Sequence, residues 1–171
     1  MYIQTHKEFL SRKEGDQIWD YLQGPIFSGT QKSSDSGKTF FKADLQNNPL
    51  FLNLIPKILP LIPEKNLIFR RCWAIAHQGL SHGSMHKDCG DSEDSYYSAV
   101  IYPHHEWHVD WGGETVFFDL EKYEIIKSVL PIPFGIVIFD SKILHCARPT
   151  TTHFMGIRYV INYVFRVEKN S

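Results

Sequence analysis

The stretch GSMHKDCGDS, residues 83–92, sets His86 and Asp88 two positions apart in a run of glycine, serine and acid that no packed helix or sheet centre would select. An imidazole and a carboxylate so placed suit either a metal ion or a polar turn. A second pair, His108-Val109-Asp110, lies in EWHVDWGGET, and nine histidines with ten aspartates supply about half of one such pair by chance. Two histidines and one carboxylate leave three neighbouring positions of an octahedral iron open, as non-haem Fe(II) oxygenases require. The third ligand candidate is His145 in GIVIFDSKILHCARP, where an apolar strand over residues 135–139 ends in a short turn that presents the imidazole at the mouth of a sandwich. Four predicted strands separate Asp88 from His145, enough to fold the chain back. Asp110 leaves three at most, so His86 and Asp88 are preferred as ligands.

Arg158 stands thirteen residues beyond His145 in GIRYVINYVF, where alternation puts Arg158, Val160 and Asn162 on one face and Tyr159, Ile161 and Tyr163 on the other. A guanidinium directed into a barrel needs an anion, and a carboxylate gripped through two oxygens is its natural partner. Tyr102, expected on the facing strand, can add its phenolic hydroxyl to the same carboxylate. Plainer readings exist for each residue. His86 and Asp88 can form a turn, His145 can be a hydrogen-bonded strand-end histidine, and Arg158 can pair with Glu114 or Asp140. Three such accidents in the order that one chemistry needs make the less economical account.

These side chains need elements to hold them. Ser11-Arg12-Lys13-Glu14 has capping-box spacing, and Ile18, Trp19, Tyr21 and Leu22 before Gly24-Pro25 predict a helix from about residue 12 to 23. Asn48-Pro49 opens a second helix with an apolar stripe from Leu50 to Leu59, which Pro56 must kink or restart. Between them SGTQKSSDSGKT, residues 28–39, reads as a mobile surface loop. After Pro63, the runs NLIFRRCWAIAH, YYSAVIY, ETVFFDL, YEIIKSVL, FGIVIFD and GIRYVINYVF predict six strands. Such spacing predicts an antiparallel sandwich or barrel with the helices against one sheet. One domain, residues 1–171, would then have helical support over about 1–63 and a β core over about 66–168.

Composition narrows the function classes. A net charge of -1 with no basic run lacks the footprint of a nucleic-acid binder, so a small or peptidic partner is expected. The polar amino terminus has no signal-peptide core, and no apolar run approaches a membrane span, which predicts a soluble, cytoplasmic protein. Cys72, Cys89 and Cys146 are widely spaced and read as reduced thiols. The cluster His104, His105 and His108 reads as an exposed hairpin tip rather than a zinc site, with Trp107 and Trp111 covering the sandwich end. His77 and His82 read as incidental, though either can line the substrate mouth.

The order His86-x-Asp88, Tyr102, Trp107, Gly112-Gly113-Glu114-Thr115, Phe139-Asp140, His145, Arg158-Tyr159 resembles the Fe(II)/2-oxoglutarate-dependent dioxygenases of the prolyl 4-hydroxylase type, over about residues 67–167. In the animal oxygen-sensing prolyl hydroxylases the tyrosine and tryptophan follow the His-x-Asp at the same intervals. The resemblance implies a mainly β fold with N-terminal helices, a double-stranded β-helix (distorted jelly roll, cupin-like). It implies Fe(II) held by His86, Asp88 and His145, and 2-oxoglutarate whose far carboxylate meets Arg158 and Tyr102. Asn162 and Thr115 would wall that pocket, with O2 as oxidant and ascorbate as an optional reductant. The implied reaction hydroxylates a prolyl or other amino-acid residue in a peptide or protein, or a free amino acid, releasing succinate and CO2. Asp88 favours hydroxylation, because halogenating relatives lack the carboxylate ligand. Two departures stand out: PTTTHFM lengthens the interval from His145 to Arg158 and is expected to reshape the substrate mouth, and Trp73 replaces a tyrosine common on the first strand. The competing readings are an oxidative nucleic-acid demethylase and a non-catalytic jelly-roll binding module. A binding module has no need of a buried Arg158 facing a metal triad.

Overall fold

A computed structural model describes residues 1–32, 39–81, 83–90 and 92–168. Helix α1 (Arg12–Leu22) begins where the capping box predicts, with the Ser11 hydroxyl accepting from the Glu14 amide and the Glu14 carboxylate accepting from the Ser11 amide. Such a cap is worth about 1 kcal/mol. The second predicted helix is broken into α2 (Pro49–Leu52), α3 (Ile55–Ile58) and a 3-10 turn over Leu59–Leu61, each with a proline in its first turn. Proline fits there because it has no amide hydrogen to lose.

Among the described residues ten strands follow the chain: β1 (Ile3–His6), β2 (Ser28–Lys32), β3 (Thr39–Asp44), β4 (Leu67–Gln78), β5 (Tyr96–Ile101), β6 (Thr115–Asp119), β7 (Glu124–Val129), β8 (Ile136–Asp140), β9 (Leu144–Ala147) and β10 (Ile157–Val167). They form an antiparallel seven-stranded sheet, β1-β8-β5-β10-β4-β3-β2, and a three-stranded sheet, β7-β6-β9. The result is the double-stranded β-helix. All six predicted strands are present, at β4 to β8 and β10. Four went unpredicted, so the first 63 residues do more than support: β1, β2 and β3 extend the large sheet at both edges. The predicted loop over residues 28–39 is in part the β2–β3 hairpin, and residues 33–38 lie outside the described residues.

Alternation along β10 assigns its two faces. Tyr159, Ile161, Tyr163 and Phe165 join Ile18 and Leu22 of α1, Phe51 of α2 and Ile58 of α3 in one buried cluster. Cys72, Ala74 and Ala76 on β4 and Ala99 on β5 belong to the same cluster, and their small side chains let the helices approach the outer face closely. The Tyr163 hydroxyl donates to the Phe51 carbonyl at 2.9 Å, tying β10 to α2. Val160, on the opposite face of β10, packs with Val100, Tyr102, Phe117, Val137 and Phe139 between the two sheets.

The histidine cluster forms no hairpin, and only His108 of the three is exposed. His104 is buried, and its Nε2 accepts the Tyr159 amide at 3.0 Å. His105 pairs with Asp16 at 2.7 Å, and His108 packs edge-on against Trp111. Trp107 and Trp111 do cover one end of the barrel, joined by Phe154 from PTTTHFM. Burial, with the nearby Arg158 charge, pushes the His104 pKa down to about 3, and its acceptor role requires a neutral ring. The folded protein therefore binds fewer protons than the unfolded chain at mild acidity. This stability is full above about pH 6.5 and is lost as pH falls towards 3. Between pH 7.5 and 5 the protein is expected to lose about 2 kcal/mol more than a His104→Gln variant in denaturant titrations. Parallel losses in the two proteins would refute the assignment.

Candidate active site

His86 and Asp88 sit on the connection between β4 and β5. Their loop is stitched to the small sheet: the His86 amide donates to the His145 carbonyl at 3.0 Å, and the His145 amide returns a bond to the His86 carbonyl at 3.1 Å. His86 thus occupies the place of a fourth strand beside β9. The predicted turn at His145 is instead strand β9, pairing His145 with Phe117 of β6. Sequence alternation could not reveal it, because four residues carry too little periodicity.

Both imidazoles use Nδ1 against a backbone carbonyl, His86 on Ser84 and His145 on Ile143, each at 2.9 Å. A carbonyl accepts only, so each ring carries a proton on Nδ1 and, in its neutral form, a lone pair on Nε2. The two Nε2 atoms lie 3.5 and 3.7 Å from the Asp88 carboxylate, and the ligand atoms of the three residues fall within 4.8 Å of one another. Asp88 is buried. The Ser98 hydroxyl donates to its Oδ2 at 2.6 Å, Asn162 Nδ2 is 3.5 Å from the same oxygen, and Arg71 Nη2 donates to its main-chain carbonyl at 2.8 Å. Burial alone would push this carboxyl up, but His86, the His145 charge and Ser98 outweigh it and hold the group ionised. Burial pushes His145 down, whereas at His86 burial is outweighed by the Asp88 hydrogen bond and charge, which push that ring up. One carboxylate and two imidazoles, which give up any Nε2 proton to the ion, form a donor set for a divalent cation.

Arg158 is the largest fully buried side chain, and it lines the same cleft of about 510 Å³. Its Nε donates to the Gly113 carbonyl at 2.7 Å and its Nη2 to Thr115 Oγ1 at 3.3 Å, while Nη1 has no partner among the described residues. Tyr102 also donates to Thr115 Oγ1, at 2.8 Å, so that oxygen accepts twice and its own proton remains to be given. A buried guanidinium nitrogen and a hydroxyl proton, both lacking acceptors, call for an anion. Neither Glu114 nor Asp140 forms an ion pair with Arg158 among the described residues. Gly113 makes the grip feasible: it has φ +75°, and a Cβ there would lie 3.1 Å from both Arg158 Cδ and Trp107.

Tyr102 follows β5, which neighbours β10 in the large sheet; it is beside Arg158, not on a facing strand. Thr115 sits between the two. Asn162 lies at the other end of the cleft against Asp88, about 13 Å of strand from Arg158. Sequence reading missed Ser98, Ser141 and Arg71. Ser98 and Ser141 are fully buried with hydroxyls 2.7 Å apart, and a serine inside the apolar run YYSAVIY was the available signal. His77 lines the cleft, and His82 lies outside the described residues. PTTTHFM misses the cleft and instead places Phe154 in a second one, beside Ile157 and Tyr159 on the other face of β10. Cys72, Cys89 and Cys146 are free thiols, and no helix among the described residues is long and apolar enough to cross a membrane.

Comparison with known proteins places this arrangement. The model of the 2OG-Fe(II) oxygenase superfamily matches residues 72–166. An oxidoreductase of the 2OG-Fe(II) oxygenase family from Burkholderia pseudomallei superposes with a TM-score of 0.75 at 17% identity, covering 99% of this chain and 87% of that one. A Trichoplax adhaerens prolyl hydroxylase in complex with a hypoxia inducible factor oxygen degradation domain peptide fragment gives 0.69 at 15%, covering 96% and 83%. HygX from Streptomyces hygroscopicus with nickel and 2-oxoglutarate bound gives 0.71 at 11%, covering 96% and 82%. No curated protein sequence matches the chain.

Proposed function

From the premise that the chain belongs to the 2OG-Fe(II) oxygenase superfamily, and so is an iron- and 2-oxoglutarate-dependent dioxygenase, we propose that His86, Asp88 and His145 hold the iron and that Arg158, Tyr102 and Thr115 receive the far carboxylate of 2-oxoglutarate. The prime substrate is a prolyl or other amino-acid residue of a peptide or protein, or a free amino acid. The observation that carries this reading is a single cleft holding a His-Asp-His donor set at one end and a buried arginine with an unanswered Nη1 at the other. A peptide lies in the Trichoplax relative, which supports a peptidyl substrate.

When bound, iron and 2-oxoglutarate together supply oxygen activation and hydroxyl transfer, with succinate and CO2 as by-products. The protein's own residues position and insulate. The Ser84 and Ile143 carbonyls fix the two rings, and Ser98 with Asn162 fixes the carboxylate, so the donors need little rearrangement to meet a cation. Val100 and Val160 floor the cleft with apolar surface, and the burial of Arg158 keeps its charge undiluted by water. Asn162 Oδ1 is buried without a partner and faces the polar end beside Asp88, an acceptor held ready for a bound donor such as water.

The test is anaerobic addition of Fe(II) and 2-oxoglutarate to the metal-free protein. The expected result is the weak visible charge-transfer band of the chelate, absent in His86→Ala. Admission of O2 with proline-containing peptides then gives succinate and a hydroxylated product by mass spectrometry. No band from a demonstrably folded protein would favour the non-catalytic jelly roll.

A further inference from the structure

Charge in the cleft balances only until its walls are counted. On the reading above, Fe(II) and Arg158 together offset Asp88 and doubly charged 2-oxoglutarate, and that group is neutral. Lys42, Arg71 and Lys87 line the same cleft, and Asp88 is its sole carboxylate among the described residues.

Two of these cations are organised around one ring. Lys42 on β3 lays its ammonium over the Trp73 indole, 2.7 Å from the ring centroid, and the Arg71 guanidinium lies 4.5 Å from the same ring. An ammonium resting on a ring face has its charge only partly answered. The acid next along β3, Asp44, has its oxygens engaged by the Gln46 amide and side chain and forms no ion pair with Lys42 among the described residues. Arg71 gives Nη2 to Asp88, at 2.8 Å to the main-chain carbonyl and at 3.5 Å to the carboxylate as a long ion pair, while its Nε is buried without a partner among the described residues. Burial and the Arg71 charge push the Lys42 pKa down, and the Asp44 charge offsets them only in part, so a further anion beside Lys42 would be welcome.

We propose that Lys42 and Arg71, arrayed on Trp73, form a subsite for a carboxylate of the prime substrate, adjacent to the position that is hydroxylated. This rests on the functional reading above. Adjacency follows from Arg71, which touches the main chain of Asp88 and so spans the distance from subsite to metal end. A carboxylate fits better than a phosphodiester, because the chain carries a net charge of -1 and offers no basic track for a nucleic-acid backbone. The carboxylate belongs either to an acidic side chain flanking the target residue in a peptide or to the α-carboxylate of a free amino acid.

The experiment titrates matched probes anaerobically into protein loaded with redox-inert Mn(II) and saturating 2-oxoglutarate, which occupies Arg158. The pairs are Ac-Glu-Pro-Glu-NH2 with Ac-Gln-Pro-Gln-NH2, and free proline with prolinamide. In at least one pair the carboxylate probe is expected to bind about tenfold tighter or more, and that pair names the source. Lys42→Glu is expected to reverse the preference towards Ac-Lys-Pro-Lys-NH2, a gain that misfolding cannot imitate. Pairs matching within about twofold, a preference that Lys42→Glu leaves intact, or tighter binding of a single-stranded oligonucleotide would each overturn the subsite. Succinate formation by the Fe(II)-loaded wild type without prime substrate separates the cases: if it persists while the pairs match, only the subsite fails.

Discussion

His145→Ala is expected to lose Fe(II) binding and turnover altogether while keeping its fold. Groups that merely orient metal ligands are worth about 10- to 100-fold in affinity, so removing a ligand should cost about a hundredfold or more. His145 is also packed against Phe117 and Phe139, and truncation leaves a void worth roughly 1–3 kcal/mol of stability. His145→Gln keeps most of that volume and separates the two effects: it should melt near the parent and still bind no iron. Metal titration with circular dichroism and succinate assays reads both. Decarboxylation of 2-oxoglutarate at the parent rate by either variant would remove His145 from the ligand set.

Arg158→Ala should act on a different quantity. The guanidinium is buried, holds the Gly113 carbonyl and the Thr115 hydroxyl, and leaves Nη1 for the co-substrate. Truncating one partner of a buried charged pair costs about 2–5 kcal/mol, so the 2-oxoglutarate concentration needed should rise about 30-fold or more. Turnover at saturating co-substrate should fall much less, because the interaction is made equally before and during the reaction. A structural role predicts the reverse, a loss of melting temperature with co-substrate affinity unmoved. Release of an unanswered buried charge should instead offset part of the lost packing and of the Gly113 bond, so the metal-free variant should melt only modestly below the parent.

Much of this was legible because the residues that carry it repeat or cap. The capping box at Ser11 and the alternation of β10 translate directly into helix α1 and the two faces of a strand, and β10 thereby turns Arg158 and Asn162 inwards. What stayed hidden depends on partners distant in sequence. IQTH and LHCA are too short for a period, and SGTQK is too rich in polar and glycine residues to suggest a strand, yet pairing with β8, β6 and β3 makes all three extended. Missing β3 also concealed Lys42, which meets Trp73 only through the β3–β4 register of Asp44 opposite Trp73.

Asp88 and His86 are held very differently. Asp88 is gripped by Ser98, Asn162, Arg71 and its own amide bond to Ser141, whereas His86, with about half its side chain exposed, is held by its two-bond bridge to His145, the Ser84 carbonyl and the Gly83–Ala147 bond, all on one edge of β9 or within its own loop. On the proposed ligand set, one wall of the metal seat is built into the barrel and the other is a loop laid along its edge. Local opening of the segment around His86 then costs far less than unfolding the barrel, and an ion leaves by that side. Residence time becomes a property of the loop: a peptide lying across the cleft mouth would latch it and slow the stripping of iron by a chelator.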